Sequence, residues 1–482
     1  MKNNNEEKEK VYCTRPFDHA QPMDNGEIMP CCPAWVDDYS LGNINKESYE
    51  EIWNGEKAQK LRGSILDGSF KYCNAKSCQH MTAKTFCVGT LEQLKERKVD
   101  GQILRDIEIG KTILDHGPHE VQFAHDRSCN LSCPSCRRSV IMVAGEKQKE
   151  LLKIQDKLQA DFLKDSTRLF VTGSGDAFAS PIFRKFLSTL VEEQAPKLQH
   201  INILSNGLLL NKYWHTLSDF AKEKIEYISI SIDAATPETY SVNRRGGDWN
   251  LLHENLEFIR ALRLDGHIKG FQISFVTQEN NFHELKDFIL MGEKYNVDAV
   301  QLQIIEPNFI RDLGYGDYLK EWKEKAVHEK THPRHEELME IIMSDFFDPY
   351  IDRYNGKAPA AGKAPAGTAV AMGILGSLRE GIDVSQYDQL LIEEKELNKE
   401  KEKIRKAEEK KKKAEEERKR IKDGLKLVEK GLLKDVWYKN EIHFISSENL
   451  RKENGTDVAE LPTKETVTWN KNEEKWIKYH AH

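Results

Sequence analysis

Features that would indicate secretion or a membrane are scarce in this sequence. No cysteine follows residue 136, and no apolar run approaches the roughly twenty residues that cross a bilayer. Residues 1–10 are polar and carry no apolar core of a signal peptide. The formal net charge of −7 is mild and indicates neither nucleic-acid nor membrane binding. We therefore expect a cytoplasmic protein that binds neither.

The cysteines that are present favour a metal or iron–sulfur centre. All nine lie within the first 136 of 482 residues. A core-filling role would scatter them along the chain, and a disulfide framework is typical of small secreted proteins. Grouped thiols in a cytosolic chain are more typical of a bound metal or iron–sulfur cluster.

Composition divides the chain into six segments. Residues 11–90 are loop-rich and contain one predicted helix, from Ser48 to Leu66, with Ser48 and Glu51 as its capping pair. Their low apolar content indicates that a metal centre would supply part of their stability. The predicted segments are a metal-stabilised module (11–90), a helical connector (91–118), an α/β barrel (119–354), an Ala/Gly/Pro-rich linker (355–392), a charged helix (393–433) and a small accessory segment (434–482).

Residues 119–307 alternate strand-like and helix-like segments, which predicts parallel strands joined by crossover helices. In such folds the chemistry lies at the carboxyl ends of the strands. The predicted strands are Val121–His125, Leu169–Gly173, Ile201–Ser205, Ile225–Asp233, Gly270–Thr277 and Ala299–Ile305. The predicted helices between them include Pro181–Gln194, Leu210–Glu223, Asn250–Leu264 and Phe282–Tyr295.

Three cysteines follow the first predicted strand. Cys129, Cys133 and Cys136 have the spacing C-x3-C-x2-C. Each iron of a [4Fe–4S] cluster takes one thiolate, so three close cysteines leave the fourth iron open, as in a reactive cluster. Spacing alone also allows a zinc site with Cys87 or His125 as the fourth ligand. The position of the loop after a strand favours the iron–sulfur cluster.

The fourth predicted strand alternates isoleucines with polar residues. A period of two puts three isoleucines on one face and Ser229, Ser231 and Asp233 on the other. If helices cover the apolar face, the polar side chains line a lumen, where a polar ligand can satisfy them. The alternative is an edge strand with one face in water.

The C-x3-C-x2-C loop resembles the hallmark of the radical S-adenosylmethionine (radical SAM) enzymes. In that family SAM chelates the open iron, and one-electron reduction cleaves it to methionine and a 5′-deoxyadenosyl radical that abstracts a substrate hydrogen. The resemblance implies an α/β fold with a partial (β/α)6 barrel and a reductant such as flavodoxin or ferredoxin. The family usually has an aromatic residue before the third cysteine, where this chain has Ser135.

The same resemblance implies SAM-binding residues at the ends of the second, third and fourth strands. The segment Gly173-Ser174-Gly175-Asp176 is similar to the family's glycine-rich segment for the amino group of SAM, although the usual form is closer to Gly-Gly-Glu. The implied contacts are Gly173, Gly175 and Asp176 for the amino group, Ser205 and Asn206 for the ribose, and Ser231 near the end of strand four.

The N-terminal module resembles the SPASM auxiliary-cluster domain of radical SAM enzymes. The resemblance rests on the cysteines together with the runs 13–17, 24–32, 41–44 and 51–55. It implies a second [4Fe–4S] cluster closed by four thiolates. The implied ligands are Cys13, Cys31, Cys73 and Cys78, with Cys32 as the weaker alternative to Cys31. Cys87 is either a fifth thiol near this cluster or a small buried residue.

Together these features predict a radical SAM enzyme whose auxiliary cluster aids oxidation or modification of a peptide or protein. Oxidation or epimerisation of a sugar or other small metabolite is the alternative. A further alternative, suggested by Ser135 and the loose Gly-Ser-Gly-Asp segment, is a metal-stabilised binding protein without radical chemistry. No residue is assigned as a catalytic acid or base.

Overall fold

The computed structural model describes residues 10–36, 39–74, 78–82, 86–305, 318, 322–354 and 368–381, together with six strands between residues 434 and 478. The chain separates into two compact units, Met1–Asp388 and Gln389–His482. Among the described helices, none combines the length and the apolar character needed to cross a membrane. The charged helix predicted at 393–433 lies outside the described residues.

The N-terminal module consists of short strands and helices. They are β1 (Tyr12–Cys13), α1 (Arg15–Asp18), β2 (His19–Pro22), β3 (Glu27–Met29), β4 (Gly42–Asn43), α2 (Tyr49–Trp53), α3 (Glu56–Leu66), α4 (Gln79–Thr82) and β5 (Val88–Gly89). Strands β1 and β5 pair antiparallel, so the beginning and the end of the module lie side by side. Strands β2, β3 and β4 form an antiparallel meander.

The single helix predicted from Ser48 to Leu66 is wrong, because helices α2 and α3 are separated at Asn54 and Gly55. The predicted capping pair is confirmed: the Glu51 N–H donates to Ser48 Oγ at 3.3 Å, and the Ser48 N–H donates to the Glu51 carboxylate at 2.8 Å. A Cβ at Gly55 would lie 1.9 Å from the Glu51 carbonyl oxygen. The Asn-Gly turn therefore prevails over the helical periodicity.

Helices α5 (Leu91–Glu96) and α6 (Gly101–Glu108) lead to the main sheet. The mixed α/β fold with parallel strands is confirmed. The strands are β6 (Glu120–Phe123), β7 (Arg168–Val171), β8 (His200–Ser205), β9 (Ile225–Ser231), β10 (Gly270–Thr277), β11 (Ala299–Ile304) and β12 (Ala369–Ala371). Each pairs in parallel with the next in this order.

Crossover helices connect the parallel strands. They are α7 (Gly145–Lys157), α8 (Pro181–Thr189), α9 (Leu210–Trp214), α10 (Asp219–Lys224), α11 (Pro237–Asn243), α12 (Trp249–Leu264) and α13 (Leu285–Lys294). Three predicted helices are shorter or divided. For example, the helix predicted at 210–223 is two helices, because Ser218 caps a new one by accepting from the Ala221 N–H.

The N-terminal module extends the barrel sheet directly. Strand β2 pairs in parallel with β6, with His19 opposite Glu120 and Ala20 opposite Val121. The sheet therefore has ten strands, in the order β12-β11-β10-β9-β8-β7-β6-β2-β3-β4. The first barrel strand is thus also the strand that joins the module to the barrel.

The other edge of the sheet includes part of the predicted linker. After α14 (Trp322–Lys325), α15 (His335–Ile342) and α16 (Asp348–Tyr354), the described residues 368–381 form β12 and α17 (Ile374–Arg379). Strand β12 pairs with β11 and buries Val370. Composition alone concealed this strand, because it consists of alanine and valine beside an Ala/Gly/Pro-rich run.

The second unit contains six described strands. They are β13 (Lys434–Tyr438), β14 (Glu441–Ile445), β15 (Leu450–Glu453), β16 (Thr456–Glu460), β17 (Thr466–Asn470) and β18 (Lys475–Lys478). The first two pair antiparallel, and the last four form an antiparallel sheet.

Candidate active site and auxiliary thiol group

The two faces of the parallel sheet differ in chemistry as the sequence predicts. Ile228, Ile230 and Ile232 are fully buried in the core that the crossover helices share. On the opposite face, Ser274 Oγ lies 3.2 Å from Ser231 Oγ. We call this second surface the polar face; it consists of Tyr227, Ser229, Ser231, Gln272, Ser274 and Gln301.

Hydrogen bonds join the side chains of the polar face. The Gln272 amide donates to Ser229 Oγ at 3.0 Å and to Gln301 Oε1 at 2.8 Å. Tyr227 donates its hydroxyl to Gln272 Oε1 at 2.8 Å. Amides and hydroxyls therefore organise this surface without a formal charge on any of its members.

The C-x3-C-x2-C loop follows the carboxyl end of β6, and Cys136 and Val276 of β10 pack against the same small apolar cluster. Cys129 forms an isolated antiparallel bridge with Ile141, and its N–H donates to the Ile141 carbonyl at 2.8 Å. Farther along the loop, the Arg245 carbonyl accepts from the Ser132 N–H at 3.0 Å, and Arg245 Nε donates to Ser132 Oγ at 3.2 Å. The loop is thus held to the segment that follows β9.

Each thiol of this loop has its own hydrogen-bond donor. Asn206 Nδ2 lies 3.7 Å from Cys129 Sγ, Arg244 Nη1 lies 3.8 Å from Cys133 Sγ, and Arg137 Nη2 lies 3.5 Å from Cys136 Sγ. Donors that point at sulfur stabilise thiolate character. Three thiols, each with a donor, suit a negatively charged set of cluster ligands.

Burial disfavours the deprotonated form of these thiols unless a positive centre compensates for the lost solvation. Burial, with the Asp176 carboxylate nearby, raises the pKa of Cys129 to about 11. Burial likewise raises the pKa of Cys133, although the Arg244 guanidinium opposes the shift. Coordinated iron would deprotonate such thiols. The thiols at this site therefore fit the three-thiolate side of a [4Fe–4S] cluster.

The two candidate fourth ligands for zinc are engaged elsewhere. His125 Nε2 lies 3.0 Å from Gln155 Oε1, and its ring packs against Phe123 and Phe183. Cys87 contacts Cys13 in the N-terminal module. Within the described residues, no three His, Cys, Asp or Glu side chains form a group that could hold one metal ion. A four-iron cluster does not need such convergence, because each thiolate binds a different iron.

A buried ion pair that the sequence did not reveal lies beside Cys133. Arg244 Nη2 is 2.7 Å from Asp233 Oδ2, while the same guanidinium reaches the Cys133 sulfur. Asp233 is 2% exposed, and its other oxygen accepts from the Val276 N–H at 2.8 Å. The run Arg244-Arg245-Gly246-Gly247 after the fourth strand was the available signal.

The glycine-rich segment touches the cysteine loop through its backbone. Gly175 has a φ of +77°, and a Cβ there would lie 2.6 Å from the Asp126 carbonyl oxygen and 2.7 Å from that of Ser128. At Gly173 a Cβ would lie 2.7 Å from Gln122 Nε2. Both glycines therefore allow neighbouring parts of the protein to approach the backbone closely, and their predicted contact with SAM stays a prediction.

Asp176 serves the protein itself in this structure. Its carboxylate accepts from the N–H groups of Phe178 and Ala179, each at 2.9 Å, and from Ser205 Oγ at 2.8 Å and the Asn206 N–H at 2.7 Å. It is 1% exposed. These four bonds join the second and third strand ends and do not favour the predicted contact with the amino group of SAM.

The predicted ribose segment also faces the cysteine loop. Asn206 Nδ2 donates to Asn130 Oδ1 at 2.9 Å, besides its contact with Cys129. Ser205 Oγ, which donates to Asp176, also accepts from the Gly207 N–H at 3.0 Å. The structure therefore places Ser205 and Asn206 in the network that supports the thiols.

The cysteines of the N-terminal module form a second group. No disulfide involves any of the nine cysteines. Besides burial, the nearby thiols of Cys73 and Cys78 raise the pKa of Cys31, and Cys73 also lies close enough to Cys13 to contribute to its raised pKa. Cys32, the alternative ligand, also lies near Cys31. The four predicted ligands thus lie in one neighbourhood, as the thiolates of a closed four-iron cluster must.

A buried arginine connects this second group to the barrel. The Arg15 guanidinium pairs with Glu120, the first residue of β6, and lies near the thiols of Cys31 and Cys87. His19 Nε2 is 3.7 Å from the same carboxylate. The Arg15 cation lowers the pKa of Glu120 although burial opposes this shift. Arg15 was not predicted, because its partner is 105 residues away in the sequence.

Two family models match the chain. Residues 124–291 match the Radical SAM superfamily, and residues 13–80 match SPASM, an iron–sulfur cluster-binding domain. The first match begins at the end of β6 and includes the cysteine loop and the polar face through β10. The two matches imply [4Fe–4S] clusters at both thiol groups and SAM at the first.

Curated relatives match only part of the chain. A GTP 3′,8-cyclase of Alkaliphilus metalliredigens is 29% identical over 140 residues, which are 28% of this chain and 41% of the relative. The FeMo cofactor biosynthesis protein NifB of Methanocaldococcus jannaschii is 27% identical over 191 residues, 33% of this chain and 61% of the relative. The chain thus spans less than two thirds of the length of either relative.

Solved structures with a similar arrangement include SuiB of Streptococcus suis bound to precursor peptide SuiA, at 13% identity and a TM-score of 0.35, covering 72% of this chain and 74% of that chain. Another is anSMEcpe with bound AdoMet, at 17% identity and a TM-score of 0.34, covering 49% and 60%. The chain thus contains a region that matches the radical SAM superfamily, preceded by a region that matches a SPASM-type iron–sulfur domain.

Proposed function

We propose that the protein is a radical SAM enzyme that modifies a peptide or protein with the aid of an auxiliary [4Fe–4S] cluster. The observation that carries the proposal is the set of three thiols, each with its own hydrogen-bond donor, in the loop that follows β6. When bound, a cluster with one open iron and SAM would supply the 5′-deoxyadenosyl radical that removes a substrate hydrogen.

The chain's own residues would hold these groups. Cys129, Cys133 and Cys136 would bind three irons, and the backbone at Gly173 and Gly175 would receive the amino group of SAM. Ser231 would contact SAM from the polar face. Cys13, Cys31, Cys73 and Cys78 would hold the auxiliary cluster, and Ser205, Asn206 and Asp176 would support the first site.

The polar face favours a neutral substrate group. Its amides and hydroxyls can bind peptide groups or sugar hydroxyls. Among the described residues that follow β9, Arg244 pairs with Asp233, and Arg245 donates to Ser132 Oγ and the Arg138 carbonyl. A nucleoside triphosphate, as named for the GTP 3′,8-cyclases, would need free cations. The alternative substrate, a sugar or other small metabolite, fits the same surface.

We also propose the division of the chain that composition predicts, with the barrel extended to include β12. A flavodoxin- or ferredoxin-type protein would supply the electron. We assign an accessory role to the segment beyond residue 388.

The test is 5′-deoxyadenosine formation under anaerobic conditions. Cluster-loaded protein would receive SAM and dithionite, beside a variant with Cys129, Cys133 and Cys136 all changed to alanine. Cys32→Ala serves as a matched control, since it removes a thiol outside the C-x3-C-x2-C loop. We expect product from the wild type and from Cys32→Ala but not from the triple variant. Equal product from the triple variant would refute the proposal.

The substrate class needs a second readout. Incubation with peptides and with sugars in deuterated water, followed by mass spectrometry, separates the outcomes. A two-electron oxidation removes mass from the substrate, whereas epimerisation leaves a solvent deuterium on carbon. Turnover of sugars alone would favour the small-metabolite alternative.

A further inference from the structure

We propose that Cys87 is a ligand of the auxiliary iron–sulfur cluster. Cys87 lies seven residues beyond the match to the iron–sulfur domain, which ends at residue 80. The inference rests on the proposed presence of that cluster and adds a ligand that the domain match does not include. It also decides between the two roles that the sequence left open for this residue.

Backbone pairing places Cys87 next to Cys13. In the ribbon of β1 and β5, Cys13 is opposite Val88 and Tyr12 is opposite Gly89. The Thr14 N–H donates to the Cys87 carbonyl at 2.9 Å, which extends this pairing by one step. The Cys13 and Cys87 thiols are hydrogen-bonded to each other. The two sulfurs therefore meet because the two ends of the module are joined.

Cys87 also belongs to the wider thiol group. The Cys78 thiol lies close enough to Cys87 for their charges to interact. Cys78 in turn interacts with Cys31, and Cys73 with both Cys31 and Cys13. With Cys32 beside Cys31, six thiols are thus available for the four irons of one cluster. If Cys87 binds iron, one of the four sequence-assigned cysteines is spare.

The surroundings of Cys87 differ from those of a core-filling cysteine. It is 1% exposed, which alone would suit a small apolar residue. However, His80 hydrogen bonds with its sulfur, and the Arg15 guanidinium lies nearby. A polar shell with a cation suits a sulfur that carries negative charge, as an iron ligand does. On binding, the thiol would lose its proton to solvent and form one S–Fe bond.

Ligation is tested in the protein that lacks the other cluster. In the full chain with Cys129, Cys133 and Cys136 changed to alanine, only the auxiliary cluster remains. Iron per chain, Mössbauer spectra and the EPR spectrum after dithionite reduction would be compared for Cys87→Ala, Cys87→Ser and Val88→Ala, the last of which truncates the buried neighbour of Cys87 without removing a thiol. The background should hold about four irons.

Ligation predicts that Cys87→Ala holds at least one iron fewer than the background. Cys87→Ser, which keeps the size and offers oxygen, should keep more iron and show a changed spectrum, whereas Val88→Ala should match the background. If Cys87→Ala misfolds, the Cys87→Ser spectrum decides. A Cys87→Ser protein with the iron content and spectra of the background would overturn the proposal. A background without iron would instead remove the auxiliary cluster itself, and with it that part of the proposed function.

Discussion

The ion pair of Arg244 and Asp233 should couple the stability of the barrel to the cysteine loop. Arg244 bridges Asp233, at 2.7 Å, and the Cys133 sulfur, at 3.8 Å. Arg244→Gln removes the cation and leaves the Asp233 carboxylate buried, with the Val276 N–H as its remaining donor among the described residues. The variant therefore tests a structural role and a role at the cluster at the same time.

The expected magnitudes differ for the two roles. The gross attraction of such a pair is about 4 kcal/mol at an effective dielectric constant of ~20, and breaking a buried pair typically costs ~3–5 kcal/mol. Burial already raises the pKa of Asp233, so the unpaired carboxyl would take up a proton more readily. Loss of a group that supports a metal ligand typically costs ~10–100-fold in metal affinity or activity.

The assay combines thermal unfolding of the loaded protein, without oxygen, with the rate of deoxyadenosine formation. The double variant Asp233→Asn and Arg244→Gln removes both charges and should recover most of the stability, but it should stay slow because Cys133 still lacks its donor. Arg263→Gln is the matched control. Arg263 Nε and Nη2 donate to the two Asp298 carboxylate oxygens at 2.8 and 2.9 Å, but the two side chains are 34% and 37% exposed.

At that exposed pair we expect a loss of at most ~1 kcal/mol and a normal rate. An Arg244→Gln protein that is no less stable than Arg263→Gln would contradict the structural role of the buried ion pair. If the double variant forms deoxyadenosine at the wild-type rate, the Arg244 guanidinium has no role at the Cys133 sulfur.

Three further results are expected. Gly175→Ala should lower iron at the C-x3-C-x2-C loop, since its Cβ would strike backbone carbonyls at 2.6–2.7 Å, whereas Gly145→Ala, also at positive φ but with nothing within 4 Å, should lose only ~1–2 kcal/mol and keep its iron. Arg15→Gln should lower the reduction potential of the auxiliary cluster by ~60 mV in an EPR redox titration, since a nearby cation favours the added electron. Burial, with the Glu120 carboxylate nearby, raises the pKa of Asp18 to about 7. Because this carboxyl ionises at lower pH in the unfolded chain than in the folded protein, the folded protein loses stability as the pH rises towards 7. Asp18→Asn should therefore raise the unfolding temperature by ~1–3 °C at pH 8 and by less at pH 5.5. Unchanged iron, an unchanged potential or a pH-independent gain would contradict the respective expectation.

Local sequence patterns predicted the parts of the structure that depend on local physics. The alternation along β9 separates a buried isoleucine face from a polar face because side chains in a strand point to alternate sides. The Ser48 capping pair lies within one helical turn. The Asn54-Gly55 pair was also a local signal for the break between α2 and α3, but the sequence prediction gave more weight to the helical periodicity.

The contacts that complete the site join distant segments and gave no such pattern. Arg244 is 111 residues from Cys133, and Asn206 is 77 residues from Cys129. For Asp176, likeness to a motif predicted a ligand contact, whereas in the structure its carboxylate accepts from protein donors 29 and 30 residues away. A sequence shows which side chains are polar, whereas their partners follow only from the packing.

The order of the two modules has a structural consequence for electron transfer. Strand β6 begins at Glu120, which pairs with Arg15 beside the auxiliary thiols, and its carboxyl end leads into the cysteine loop. Four residues of strand span only about 13 Å. Since β2 pairs with β6, the N-terminal position of the module does not require a long linker to bring it to the barrel. One short strand therefore connects the partner of Arg15 to the segment that carries the cysteine loop, and a change at Arg15 should affect the auxiliary cluster more than the loop.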